Sequence, residues 1–337
     1  MLPDLKTYQS FLTDFSGLLL AVNILVFLSR RLWTEEEEHT DDFFLNWGEQ
    51  GTGTEALAWY PTNFLRDVIP KPIHSHNDYW RKVPLFSALH AGCISVEADV
   101  WLENYNSTDD LFVGHDLAAL QPSRTFPSLY VNPIVEILQR QNPSTAFYQG
   151  SRRGVFDADP DQTLTLLVDV KTDGETTWPW VVEQLEPLRS RGWLTTFDNG
   201  ELKLGPVTVV GSGNTPFDQI VANDTYRDVF YDVPLDRLPD SNFNTTNSWY
   251  ASVSLKEAVG QVWLDGFNPD QLRTVKTQIQ AAHEQGLKVR YWELPSWPIS
   301  IRNHIWSLLV QEGVDLLNVD DLRGAARKDW SRHITVL

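Results

Sequence analysis

The sequence predicts a single (β/α)8 barrel, and three observations carry that expectation. From about Pro70 onward, short β-branched runs alternate with helix-like segments, the pattern of βα units round a parallel sheet. The runs amount to about eight parallel strands in about 260 residues, the size of one such barrel. Most polar residues with chemical potential fall at the C-terminal ends of these runs, the face on which barrels build their sites. A doubly wound sheet fits less well, because no Gly-rich turn follows the first run.

The chain has 337 residues, and the barrel is expected to fill residues 69–330. Ahead of it lie a hydrophobic segment at 1–33 and an acidic, Gly-rich linker at 34–68. Residues 17–28 are apolar apart from Asn23 and are followed at once by Arg30 and Arg31. A helix of that length covers only about 18 Å against a bilayer core of about 30 Å. Extending it back through Phe11 and Leu12 reaches spanning length but takes in Asp14. A signal-anchor helix is the first reading of this segment, a degenerate signal peptide the second, and an amphipathic or core helix the third. The first two favour membrane anchoring or the secretory pathway, with membrane association through this segment. Glu35, Glu36, Glu37 and Glu38, then Asp41 and Asp42, read as a solvated spacer.

Strands are predicted at 73–78, 94–102, 111–115, 164–170, 207–211, 229–233, 251–255, 288–293 and 315–319. Helices are predicted at 84–91, 132–139, 178–191, 269–285 and 298–312, with Gly286 and Gly313 placed as C-caps of the last two. The second and third strands read as a hairpin extension rather than two full βα units. Hydrophobic content of 42% and aromatic content of 12% exclude wholesale disorder.

Charge narrows the function classes. With 27 Lys+Arg against 45 Asp+Glu, the formal charge is −18, which argues against nucleic acid and anionic membrane surfaces as partners. No obligate protein partner is implied. A phosphate-bearing substrate would need a metal or a few local Lys/Arg. The single cysteine, Cys93, excludes an intramolecular disulfide framework and a thiolate-rich zinc site, and is expected to be a packing residue. Some of the 14 tryptophans are expected to line a pocket or an amphiphile-binding surface.

The candidate site residues sit at strand ends: His74 and His76, Glu97 and Asp99, His115, Asp169 and Lys171, Arg290 and Trp292, Asn318 and Asp320. Residues two apart in a strand share a face, so Glu97 pairs with Asp99, Asp169 with Lys171, and His74 with His76. Two inward carboxylates on a strand otherwise reading Ile94, Val96, Val100 demand a counter-charge. A divalent cation held by Glu97, Asp99 and Asp169 supplies it, with waters or substrate oxygens completing the shell. The plainer reading is a structural ion network with Lys171 and Arg290. Two histidines beside a metal-bound phosphodiester could divide proton removal from proton donation, and His76 and His115 are the candidates. His76 is preferred to His74, which is then a supporting residue. Lys171 and the metal would stabilise charge on the non-bridging oxygens.

These motifs carry a resemblance. His76-Asn77-Asp78, Val96-Glu97-Ala98-Asp99-Val100 and Val113-Gly114-His115-Asp116 resemble the opening of the phosphatidylinositol phospholipase C-like phosphodiesterase superfamily, which includes glycerophosphodiester phosphodiesterases. Leu167-Val168-Asp169-Val170-Lys171 is similar to the D-x-K strand of sphingomyelinase D-type enzymes. With Arg290-Tyr291-Trp292 and Leu317-Asn318-Val319-Asp320-Asp321-Leu322, residues 69–327 resemble the fungal altered inheritance of mitochondria protein 6 family.

The resemblance implies a phosphoric diester hydrolase acting on a phospholipid or small phosphodiester, within lipid metabolism. It implies His76 and His115 as acid and base and Glu97, Asp99 and Asp169 as ligands of Mg²⁺ or Ca²⁺. Lys171 would contact phosphate, Trp292 would wall the pocket, and Arg290, Asn77 and His74 complete the substrate-side set. Asn77-Asp78 stand where the glycerophosphodiesterases carry Arg-Gly, and the missing guanidinium removes a bidentate phosphate contact. Two other classes compete: a barrel glycoside hydrolase working through paired carboxylates, and a catalytically silent lipid- or partner-binding barrel.

Overall fold

The structure, a computed structural model, describes residues 65–150, 152–240, 242–263 and 266–330, together with 20–22 and 24–25. The chain divides into two compact units, Met1–Tyr60 and Pro61–Leu337. In the first, residues 20–22 and 24–25 are helical and exposed. Most of the expected anchor segment and linker otherwise lies outside the described residues. Among the described residues, no helix is long and apolar enough to cross a membrane.

The second unit is a barrel. Its strands are β1 (Lys71–Ser75), β2 (Cys93–Tyr105), β3 (Thr108–Val113), β4 (Leu164–Val170), β5 (Thr196–Asp198), β6 (Glu201–Lys203), β7 (Val207–Gly213), β8 (Tyr226–Arg227), β9 (Val229–Pro234), β10 (Ser248–Ser254), β11 (Lys288–Trp292) and β12 (Leu316–Val319). The order β1-β12-β11-β10-β9-β7-β4-β2 closes through a β1–β2 pairing, giving eight parallel strands. β3 pairs antiparallel with β2, so the expected hairpin extension is present. A small side sheet of β6, β5 and β8 was not foreseen.

Local chemistry moves several boundaries. β1 stops at Ser75 instead of running to Asp78, because Asn77 takes a left-handed φ of 47° and a short helical turn begins at Asp78. β2 runs three residues past its expected end, because Asn106 and Ser107, both at positive φ, form the tight turn into β3. The helix Gly174–Gln184 begins ahead of its expected start, because the Asp173 side chain accepts from Thr176 N–H and caps it.

Alternation along the strands sorts the interior into two levels. Leu166, Val168 and Val170 pack outward with Trp178, Val181 and Leu185 of the surrounding layer. Their neighbour Leu167 turns inward and joins Val210, Phe230, Tyr250 and Leu316 in a separate apolar cluster. Two residues further along each strand stands a polar group: Asp169, Ser212, Asp232, Ser252 and Asn318. The barrel interior is therefore an apolar floor under a polar mouth, and the side-chain period of two separates them. Phe230 is fully buried in that floor. Phe230→Ala is expected to destabilise the barrel by about 3–5 kcal/mol in urea unfolding, the range for an aromatic removed from a packed core.

Candidate metal centre and its flanking histidines

The in-register pairing of β2 with β4 sets Asp99 directly beside Asp169, with Glu97 one inward position below. Ligand-capable oxygens of Glu97, Asp99 and Asp169 lie within 4.8 Å of one another. Lys171 Nζ reaches Asp169 Oδ2 at 2.8 Å and Asp99 Oδ2 at 3.0 Å. Asp99 Oδ2 also accepts from the Tyr79 hydroxyl at 2.7 Å, whereas Asp99 Oδ1 is buried with no hydrogen-bond partner. Burial, then the charges of Glu97 and Asp169, push the Asp99 carboxyl up to about 7. Burial likewise raises Asp169, against the pull of Lys171.

This donor set fits a hard divalent cation. Three carboxylates and one ammonium leave two negative charges when all are ionised, and the orphaned Asp99 Oδ1 lies in the cluster as a ready ligand. One glycine makes room for Asp169. Gly213, at φ 63°, follows Ser212, the β7 partner of Asp169, and a Cβ there would sit 2.0 Å from Asp169 Oδ1.

Glu97 is held from several sides. Its Oε2 accepts from the Asn77 backbone N–H at 3.1 Å and lies 3.3 Å from His74 Nε2. His74 is fully buried, with Nδ1 2.7 Å from Ser95 Oγ, which in turn takes the Tyr250 hydroxyl at 3.1 Å. Burial, then the neighbouring Arg290, push His74 down to about 4, so the ring is neutral. The consistent proton order runs Tyr250 O–H to Ser95, Ser95 O–H to His74 Nδ1, and His74 Nε2–H to Glu97. Although burial works against ionisation, His74, His76 and Arg290 together hold Glu97 well below the usual carboxylate range.

Arg290 is also buried. It donates to Asp232 Oδ2 at 3.0 Å, Asn318 Oδ1 at 3.0 Å and Ser252 Oγ at 3.1 Å. Both Arg290 and His74 therefore brace the mouth from within. Asp78 is outside the metal cluster: it is buried and accepts from Ser75 Oγ, Leu85 N–H and the Tyr130 hydroxyl.

His76 is partly exposed. Its backbone N–H continues the β1–β12 pairing by donating to Val319 at 3.1 Å, which brings its ring to Asp320, with Nδ1 2.8 Å from Oδ1. Burial opposes the charged ring, but the Asp320 hydrogen bond and the Glu97 field outweigh it and raise the His76 pKa. His115, exposed at the end of β3, lies 3.2 Å by Nδ1 from the Tyr79 hydroxyl and leans on Trp80, with ring centroids 4.6 Å apart. Trp292 ends β11 at 36% exposure.

Four partners escaped sequence reasoning: Tyr79, Ser95, Asp232 and Asp320 as the anchor of His76. Tyr79 is almost fully buried, and its hydroxyl lies 2.6 Å from Asn77 Oδ1 as well as touching Asp99 and His115. No spacing rule marks it, since the adjacent Trp80 is exposed; the left-handed turn at Asn77 returns Tyr79 to the barrel. Because Tyr79 has one hydroxyl proton, which an oxygen acceptor takes, His115 Nδ1–H donates to it and leaves Nε2 free.

Two outcomes are expected from this geometry. In Asp320→Asn, the His76 pKa should fall, as read from its ring signals in an NMR titration. The raised His76 contributes stability below about 6.5 that is lost as pH rises through its folded pKa, and the lowered Asp320 contributes above about 4. The stability difference between wild type and D320N should therefore peak between those limits. Gly213→Ala should lower the melting temperature by more than an ordinary surface change, with a cost above about 1 kcal/mol, since it joins a positive φ to a carboxylate clash.

Comparison with known proteins places the chain. Residues 62–232 match the family model described as "AIM6-like phosphodiesterase domain". The chain is 48% identical over 285 residues to the altered inheritance of mitochondria protein 6 homolog of Arthroderma benhamiae, covering 81% of this chain and 88% of that protein. It is 37% identical over 291 residues to altered inheritance of mitochondria protein 6 of Eremothecium gossypii, covering 82% and 73% respectively. Among solved structures, it is similar to a glycerophosphodiester phosphodiesterase from Parabacteroides distasonis at TM-score 0.42 and 11% identity, covering 77% of this chain and 98% of that one. With a phosphodiesterase-like domain over half its length and these relatives over most of it, the chain belongs to the altered inheritance of mitochondria protein 6 family.

Proposed function

We propose that this protein is a divalent-metal-dependent phosphoric diester hydrolase acting on a phospholipid or a related small phosphodiester. One observation carries the reading: three converging carboxylates with an unpartnered buried oxygen, Asp99 Oδ1, at the mouth that also holds His76 and His115. Glu97, Asp99 and Asp169 would hold the ion. Bound there, Mg²⁺ or Ca²⁺ would supply Lewis-acid polarisation of a phosphoryl oxygen.

The chain's own groups divide the remaining work. His76, with Nδ1–H donated to Asp320, keeps its ring charged toward neutral pH and serves as proton donor to the leaving alkoxide from Nε2. His115, with Nδ1–H on Tyr79, has Nε2 available to take the proton of the attacking hydroxyl or water. Lys171 has two of its three N–H bonds on Asp99 and Asp169, and the third remains for a non-bridging oxygen. Arg290 and His74 keep Glu97 ionised, and Asn77 fixes it through the backbone. Trp292, partly exposed at the end of β11, would wall the substrate side of the mouth.

The contact of Lys171 with both Asp99 and Asp169 gives the silent-barrel reading its support, since the network is partly self-compensated. Calorimetry separates the two: Mg²⁺ or Ca²⁺ should bind the purified chain, and a protein that binds neither is the silent barrel. With metal, the chain should hydrolyse or cyclise members of a lysophospholipid and glycerophosphodiester panel, and EDTA should abolish turnover. A carboxylate-pair glycosidase would be indifferent to EDTA. His76→Ala and His115→Ala should each lose about 10²–10⁴-fold in kcat. Wild-type turnover in both variants would refute the division of roles.

A further inference from the structure

The inward face of β2 does not end at the metal cluster. Glu97 and Asp99 belong to an odd-numbered series, and the same face continues through Trp101, Glu103 and Tyr105 as β2 overshoots the barrel. The β2–β3 register is unbroken over this stretch, from Val100 opposite Val113 to Tyr105 opposite Thr108. Phe112 stands opposite Trp101 on that face and meets Tyr105 edge to face at 6.5 Å between centroids.

Along this face lies a groove of about 320 Å³. One side is Glu103, Asn104, Tyr105 and Phe112; the other is Leu117, Leu120, Gln121 and Pro122, the segment that leaves His115. Leu117 is two residues beyond His115 and 60% exposed, and Tyr105 is 49% exposed. The lining contains no lysine or arginine, and its one charged side chain is the acidic Glu103, so the groove suits neither a phosphate nor a carboxylate. At about 3.3 Å per residue, Glu103 stands about 13 Å along the strand from Asp99. Trp101 bridges the interval, with its Nε1–H donated to the Gly114 carbonyl at 2.7 Å.

We propose that this groove receives the aliphatic chain of the substrate, so that a single-chain amphiphilic phosphodiester lies along β2 with its phosphate at the carboxylate cluster. The assignment rests on the phosphodiesterase reading and narrows its substrate class. Continuity selects the occupant: one strand face carries both the metal-binding carboxylates and the groove, and one short turn carries both His115 and Leu117. A chain extended from the phosphate therefore meets Tyr105 and Phe112 on one side and Leu117, Leu120 and Pro122 on the other.

The test is binding by the full chain of monomeric decyl-, dodecyl- and tetradecyl-phosphocholine, chains long enough to pass Trp101 and enter the groove, each below its micelle concentration, followed by calorimetry. Full burial of a methylene gives about fourfold in affinity, so a half-covered chain should gain about twofold per carbon. In Leu117→Glu, and separately in Tyr105→Ser, that dependence on chain length should flatten. The slope within one protein is the readout, so a general loss of affinity in a variant does not imitate the effect. An affinity independent of chain length, or a slope unchanged in both variants, overturns the groove. Hydrolysis is scored separately, as kcat/KM for lysophosphatidylcholine against glycerophosphocholine. A chain-length slope without turnover of either compound supports the groove and sinks the hydrolase reading. Turnover of both at equal kcat/KM does the reverse.

Discussion

Charge compensation in the barrel mouth is the constraint on which the rest of the site depends. Glu97, Asp99, Asp169 and Asp232 all turn inward above an apolar floor, where an unpaired carboxylate is costly. Two cations answer them from within the chain: Arg290 against Asp232, and Lys171 against Asp99 and Asp169. The distribution is uneven. Glu97 takes the hydrogen bond of His74, lies in the field of His76 and Arg290 and stays ionised, whereas burial and then the charges of Glu97 and Asp169 push Asp99 up. Asp99, whose Oδ1 has no partner, stands beside Glu97 and Asp169, which is why the cluster reads as a cation site.

The same compensation gives each histidine a distinct character. His74, enclosed and next to a guanidinium, is a neutral relay between Ser95 and Glu97. His76, with a carboxylate on Nδ1 and partial access to solvent, is held toward its charged form. A pair that share a sequence motif two residues apart thus divide into a brace and a proton-carrying group. The division follows from depth: His74 lies enclosed within β1, whereas His76 stands one residue past its end, partly exposed beside Asp320.

Much of this was legible in the chain. Carboxylates two apart on a β-branched run announce a shared strand face, and Asp169 followed by Lys171 on another run repeats the signal. The barrel follows from the succession of such runs with helices between them. What could not be read were pairings set by closure of the sheet. His76 meets Asp320 across 244 positions, and Arg290 meets Asp232 across 58, through registers that local pattern does not encode. Tyr79 was missed for a different reason. Its role depends on the left-handed Asn77, and that backbone turn, not any spacing rule, swings the phenol ring back to Asp99 and His115.

The overshoot of β2 beyond the barrel makes the hairpin a ruler whose divisions come in twos. Lengthening both strands by a pair of residues would carry the tip further out while every side chain kept its side. A single-residue change would reverse the tip and send Tyr105 to the opposite surface. The barrel wall would notice neither change, because β2 pairs with β4 only as far as Val100. Reach and chemistry are in this way set by separate lengths of one strand, and parity is the rule that any variation in the outer length has to obey.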